Sequence, residues 1–202
     1  MSNSFEALQG SIGDVVEPLH EAMRGAREVM NDHSVLVRDD DQQWLRACLL
    51  RGLAYRKLEA LDLGAWSLTG GHKKNGAVHL AHRDGSMTIR LLREAVGNSI
   101  PHAGSNRARR SYYQNTPLPG LDLFGSHSNL LVLWSEPNPA EDFCLRMVRP
   151  LTTGSWFGKN LRTDIDIELP RSRTAFTELR FTVTDEDLFF SADDERDVDG
   201  LS

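Results

Sequence analysis

Cysteine is nearly missing from this chain: Cys48 and Cys144 are the two in 202 residues. That excludes a disulfide framework, and two thiols set among apolar neighbours (CLL and FCLRMV) are expected to be reduced core residues. Long apolar runs are missing as well. No stretch approaches the roughly 20 residues that a membrane helix requires. The opening MSNSFEALQGSIGDVVEP carries neither a basic n-region nor an apolar h-region. The expectation is a cytoplasmic protein that does not enter a membrane. Catalytic signatures are also lacking: there is no G-x-S-x-G, no HExxH and no Walker motif, and neither cysteine has a histidine close in sequence. A non-enzymatic protein needing no cofactor is therefore expected.

What the chain does have is charge, sorted into blocks. Residues 1–42 hold nine acids against three Lys/Arg, residues 43–174 hold eighteen Lys/Arg against eleven acids, and residues 175–202 hold nine acids against two bases. The formal net charge of −6 thus conceals a basic middle between acidic ends. Such asymmetry bears on partners rather than on fold, and it points to a polyanion for the middle block. With 40% apolar and 26% charged residues the composition is that of an ordinary globular protein, long enough to bury a core.

Ile12, Val15, Val16, Leu19, Met23, Ala26 and Met30 fall on one helical face, predicting an amphipathic helix over 5–31 that Pro18 kinks or restarts. Its stripe would pack on the same chain or offer a surface to a protein partner or a second copy. Asp39, Asp40 and Asp41 form a helix-start signal, and a second helix over 42–63 would close at Gly64. Its apolar residues make two stripes, one through Ala47, Leu50, Ala54, Leu58 and Leu61, the other through Leu45, Cys48, Leu49, Gly52 and Leu53. A helix apolar on two faces is expected to be central, between the first helix and a sheet. Beyond Gly64 the period becomes two, with strand candidates at 65–69, 77–81, 86–92, 129–135, 142–149, 163–169 and 176–184. Asp84-Gly85 reads as a hairpin turn and the Pro-rich SEPNPAED as another. Residues 99–128 lack periodicity, and a loop that long in a compact domain is expected to be functional or partly ordered by something else. The predicted fold is α+β: two N-terminal helices packed on a mostly antiparallel sheet of six or seven strands within 65–184, with Trp66, Trp134, Phe143 and Leu145 in the core. A single domain over 1–190 would end in a disordered acidic tail, 191–202.

Within the long loop, SNRARRSYYQN places Arg107, Arg109 and Arg110 beside Tyr112 and Tyr113, with His102 upstream. Guanidinium groups bind phosphate bidentately and tyrosines stack on bases, so these residues form a candidate nucleic-acid site. The same string also reads as a solvated basic loop whose tyrosines dock on the sheet. GGHKKNG, residues 70–76, adds Lys73 and Lys74 as candidate phosphate contacts. His79 and His82 form HxxH, but three residues along a strand put them on opposite faces, a poor zinc pair. In DIDIEL, Asp164, Asp166 and Glu168 share one face, the pattern of a Mg²⁺ site for a metal-dependent nuclease. The chain lacks the Glu-x-Lys that such nucleases carry.

The strand NLLVLWSE and its return FCLRMVRP, with RSYYQN before and DIDIELP after, resemble uncharacterised actinobacterial and phage-type proteins encoded near phage-repressor-type helix-turn-helix regulators and their zinc peptidases. The resemblance covers residues 107–170 and carries over no site residue. It implies a phage or mobile-element setting. Together these readings favour a regulatory protein that binds nucleic acid through its basic middle, ahead of a protein-interaction module acting on a DNA-binding regulator, and of a metal-dependent nuclease.

Overall fold

The structure, a computed structural model, describes residues 2–32, 42–95, 97, 99–115, 127–136, 143–154 and 161–179, with side chains from residue 8 onward except those of Lys74 and Asn75. Helices α1 (Ser2–Asp32) and α2 (Gln43–Ala60) precede β1 (Trp66–Thr69), a one-turn α3 (His72–Asn75), β2 (Val78–His82) and β3 (Met87–Arg93). Then come α4 (Arg107–Tyr113), β4 (Ser128–Ser135), β5 (Cys144–Pro150), β6 (Thr163–Glu168) and α5 (Arg173–Glu178). The six strands form one sheet in sequence order, antiparallel at every junction except β3–β4, which is parallel. This is the α+β arrangement expected, and no helix among the described residues is long and apolar enough to cross a membrane.

The core forms against one face of the sheet. Trp66, Val78, Leu80, Met87, Ile89, Leu91, Leu130, Val132, Trp134, Leu145, Met147 and Ile165 point into it, as strand alternation dictates. Against them lies α1, whose Ile12, Val15, Val16, Leu19, Ala22, Met23 and Ala26 are all 0% exposed. Its stripe is thus taken up within the chain and is not an open surface for a partner or second copy. Pro18 sits inside an unbroken helix. Proline deprives the backbone of one hydrogen bond, and the buried Val15, Val16 and Leu19 on either side supply the packing that holds the turn. Polar anchors fix α1 at its margins: Trp66 Nε1 donates to Ser11 O at 2.8 Å, His20 Nε2 lies 3.0 Å from Leu169 O, and Gln9 donates to Phe176 O and Leu179 O.

Helix α2 is not the central element. It buries Leu50, Ala54 and Leu58, a single i, i+4, i+8 stripe, with Ala47, Leu53, Tyr55 and Leu61 packed at the edge. Cys48 and Leu49 of the second stripe are exposed, and Trp44 is 65% exposed. Arg46 and Arg51 flank that stripe, and α1 takes the central place against the sheet. The helix also ends before Gly64. Leu61 is already extended, and Asp62 Oδ1 accepts from Gly64 N in a separate turn. Gly64 is left-handed at φ +60°, and a Cβ there would come within 3.0 Å of the Asp14 side chain, so glycine answers two demands at once.

Both thiols are exposed, contrary to the core expectation. Inward-facing Phe143 and Leu145 flank Cys144 in the chain, so alternation turns Cys144 outward. Trp66, Trp134, Phe143 and Leu145 are buried as expected. Six of the seven strand candidates are strands. The seventh begins instead as α5, capped by Ser172, whose side chain accepts from Ala175 N, and Phe176 drops from it into the core at 0% exposure. The rest of that candidate (180–184), the Asp39–Asp41 helix start, the SEPNPAED turn beyond Glu136, Lys159 and the tail 191–202 lie outside the described residues.

Leu19→Ala is expected to lower unfolding free energy by about 2–5 kcal/mol, whereas Leu49→Ala should change it by less than about 0.5 kcal/mol. Urea unfolding of both variants measures the contrast. Similar losses would contradict the placement of α1 as the buried helix.

Candidate nucleic-acid interface

Parallel strands cannot be joined by a tight turn, so the chain between β3 and β4 must cross the sheet. It crosses on the face opposite α1. Leu92, Leu131, Leu133 and Val148 from that face form a second core with Ala103 and Tyr113, flanked by Ile100, Tyr112 and Leu161. The described part of the long segment without periodicity, 99–115, is therefore a packed lobe. Its helix α4 is capped by Asn106, whose Oδ1 accepts from Arg109 N at 3.2 Å. Asn115 closes the lobe. Its Nδ2 donates to Pro150 O at 2.7 Å and Asn129 O at 3.0 Å, and its Oδ1 accepts from Asn129 N at 2.7 Å.

The two tyrosines build the lobe and do not face solvent as base-stacking platforms. Tyr113 is 0% exposed and donates to Pro101 O at 2.7 Å. The Tyr112 hydroxyl reaches Leu130 O at 2.8 Å and Thr88 O at 3.2 Å, pinning α4 across β3 and β4. Burial pushes the pKa of both phenols up, so both act as neutral hydrogen-bonding anchors. An aromatic side chain held this way is withdrawn from the candidate contact set. Arg107 and Arg110 remain exposed on α4, and Arg109 is half-buried. Lys73 is exposed on the turn, while the side chain of Lys74 lies outside the described residues.

At the lobe's rim, strand register assembles a cluster that no sequence motif announces. His79 of β2 is the partner of Arg90 of β3, which in turn is the partner of Leu131 under the lobe. Tyr112 lies over His79, ring centroids 6.5 Å apart and planes 20° apart. Arg109 of α4 and Arg51 of α2 are near enough to Arg90 to repel its charge, and this repulsion joins burial in lowering the Arg90 pKa. The pKa of His79 is lowered by burial first and by Arg90 second. Gly70, at the base of the 70–76 turn, abuts His79 so closely that a Cβ would meet Nδ1 at 3.0 Å. The loop arginines and the base of the lysine turn, far apart in sequence, therefore approach one another around Arg90.

Among the described residues, no carboxylate is paired with this charge. Elsewhere the half-buried or buried arginines are paired: Arg27 and Arg46 with Glu136, Arg146 with Asp166 and Glu94, Arg149 with Asp164. Arg51 bonds only Ala47 O and Cys48 Sγ. His79 Nε2, Arg90 Nε and Arg109 Nε are buried without a hydrogen-bond partner. A signal for this was legible in the chain: residues 63–83 and 95–121 contain no Asp or Glu at all.

The nuclease pattern does not survive the register. Pairing skips Asp164, between Arg149↔Ile165 and Pro150↔Thr163, so Asp164 leaves the row and binds the fully buried Arg149. Asp166 is held by Arg146 through both carboxylate oxygens, leaving Glu168 exposed. Among the described residues, no group of three or more His, Cys, Asp or Glu is disposed to hold a metal. The HxxH histidines lie on opposite faces, as their spacing requires. His82 bonds Asp84 and meets the Trp66 ring edge-on, on the core side. His102 accepts from Gly104 N within the lobe, and His127 is bonded to Gly85 O. A shallow cleft between α1 and the end of β6, lined by Glu17, His20, Glu21, Arg24, Phe143 and Arg171, mixes charges of both signs and lacks a nucleophile with an adjacent base. No family model, curated protein or solved structure matches the chain.

Asp164→Asn takes a paired carboxylate from the fully buried Arg149 and is expected to cost about 3–5 kcal/mol in chemical denaturation. A loss below about 1 kcal/mol would contradict the pairing. A second expectation concerns pH. Because the folded state holds the His79 pKa below 6.5, the unfolded chain binds more protons between the two values, and stability falls as pH drops through that window. Comparing urea midpoints at pH 7.5 and 5 should show a smaller pH effect in His79→Gln than in the wild type. An equal effect would place the titration elsewhere.

Proposed function

We propose that this protein is a non-enzymatic regulatory protein that binds nucleic acid through the surface formed by α4 and the β2–β3 strands beside it. Arg107 and Arg110 contact backbone phosphates, Arg109 links them to Arg90, and Lys73 and Lys74 extend the track from the neighbouring turn. The observation that carries the reading is the approach of two basic segments, separated by some thirty residues of chain, on one face with no carboxylate between them among the described residues. A polyanion supplies the missing counter-charge. The phage or mobile-element setting rests on the resemblance of residues 107–170 alone and belongs to this proposal. So does a cytoplasmic location.

A second reading is favoured by one observation. The outer face of α2 presents Trp44, Cys48 and Leu49 together, an apolar strip with Trp44 65% exposed. Large exposed aromatic residues are typical interface anchors. An interaction module acting on a DNA-binding regulator would use this strip in place of the buried α1 stripe.

Fluorescence anisotropy with duplex and single-stranded oligonucleotides tests the first reading. Affinity should fall steeply with salt, with a log–log slope near −0.9 per phosphate contacted on duplex DNA. The double variant Arg107→Ala/Arg110→Ala should reduce that slope by about two while leaving stability unchanged, since both side chains are exposed. No binding of any nucleic acid at low salt would retire the proposal. Unchanged binding by the double variant would move the interface away from α4.

A further inference from the structure

We propose that Arg90, Arg109 and His79 form a receptor for a single phosphate group at the rim of the crossover lobe, with Arg51 adding charge from α2. The inference deepens the nucleic-acid reading and depends on it only for the source of the phosphate.

The first support is geometric. Arg90 and His79 are register partners on adjacent strands, so their side chains leave the same face side by side. Tyr112 holds α4 over that pair through its bonds to Thr88 O and Leu130 O, which brings Arg109 in from above. Gly70 borders His79 on the other side, where a side chain would collide with the imidazole. Strands and a pinned helix supply all three groups, and a preorganised site of this kind loses little entropy on binding.

The second support is electrostatic. Burying a guanidinium without an anion is costly, and this protein pairs Arg27, Arg46, Arg146 and Arg149 with Glu136, Glu94, Asp164 or Asp166. At Arg90 it gathers three further cationic or protonatable groups and leaves three ring or guanidinium nitrogens without an acceptor. Two guanidinium forks and an imidazole present donors from several directions. A tetrahedral oxyanion with several acceptors answers them better than a planar carboxylate with two. Phosphate also stabilises the protonated form of His79, so binding takes up a proton and strengthens as pH falls. The groups facing His79 are Arg90 from β3, Tyr112 from α4 and the backbone of Gly70, with Arg109 and Arg51 beyond Arg90. None of these is an acid that would oppose the effect.

The test uses the full chain with inorganic phosphate as probe and chloride at matched ionic strength as control. Phosphate should raise the thermal midpoint above the chloride value, more at pH 6 than at pH 8. Arg90→Met keeps the aliphatic stem and removes the charge. It should weaken phosphate binding by about tenfold or more and, in phosphate-free low-salt buffer, melt no lower than the wild type because like-charge repulsion is relieved. Should that variant fail to fold, the wild-type His79 ring resonance reports instead, and its pKa should rise on adding phosphate. A phosphate effect no larger than that of chloride, or a His79 titration that phosphate does not move, would overturn the receptor. Paired oligonucleotides with and without a 5′-phosphate separate a terminal monoester from a backbone diester as the source. Phosphate binding without oligonucleotide binding would sink the nucleic-acid reading and leave the receptor standing. Oligonucleotide binding unaltered by Arg90→Met would do the reverse.

Discussion

Strands β3 and β4 run parallel from Met87↔Ser128 to Arg93↔Trp134, in a sheet whose other junctions are antiparallel. That one pairing forces the chain to leave the end of β3, traverse a face of the sheet and re-enter beside the start of β3. With α1 and α2 covering one face, the crossover occupies the other, and it carries its own small core of Leu92, Ala103, Tyr113, Leu131, Leu133 and Val148. Asn115 and Tyr112 then lock it to the strand carbonyls. Had β3 and β4 been joined by a hairpin, α4 would have no place against the sheet, and Arg109 would not stand near Arg90.

Charge is distributed by the same architecture. The acidic first helix contributes Asp14 to Arg173, and Glu136 at the end of β4 gathers Arg27 and Arg46, tying α1, α2 and the sheet together. The far side of the sheet, over β5 and β6, is likewise balanced by Arg146 with Asp166 and Glu94. Among the described residues, the β2–β3 border under α4 is left with cations and no paired carboxylate. An imbalance confined to one place, next to exposed arginines on a helix, distinguishes a binding surface from a generally basic protein, since net charge acts at long range while a buried unpaired cation acts locally.

Much of the fold could be read from the chain because period carries burial. The stripe from Ile12 to Met30 and the alternation in MTIRLL, NLLVLWS and CLRMV each have one strong period, and each became the element expected. Where two signals competed, the reading failed. The second stripe of α2 runs through Cys48 and Leu49, which face outward, so its apolar count overstates its burial. Phe176 looked like the start of an alternating run, but Ser172 caps a helix there. Helix α4 lies in a stretch rich in Gly and Pro and spans seven residues, too short for periodicity to emerge. The candidate site divides similarly. Clustered charge revealed Arg107, Arg109, Arg110 and the 70–76 turn. His79 and Arg90 are single polar residues in apolar strands, and only the pairing of β2 with β3 sets them together. Tyr112 and Tyr113, beside arginines, fit a base-stacking platform and a core anchor equally well in the sequence, and their hydroxyl partners make them anchors.

The claim at the centre of this account is that the crossover creates a localised oxyanion site and not merely a basic surface. Anomalous diffraction from crystals soaked in selenate, a tetrahedral dianion with its own scattering signature, tests it most directly. The account predicts a selenium peak within hydrogen-bonding distance of the Arg90 and Arg109 guanidinium groups, beside the His79 ring. Selenium found only at exposed Arg107, Arg110 or other surface cations, with none at Arg90, would contradict it.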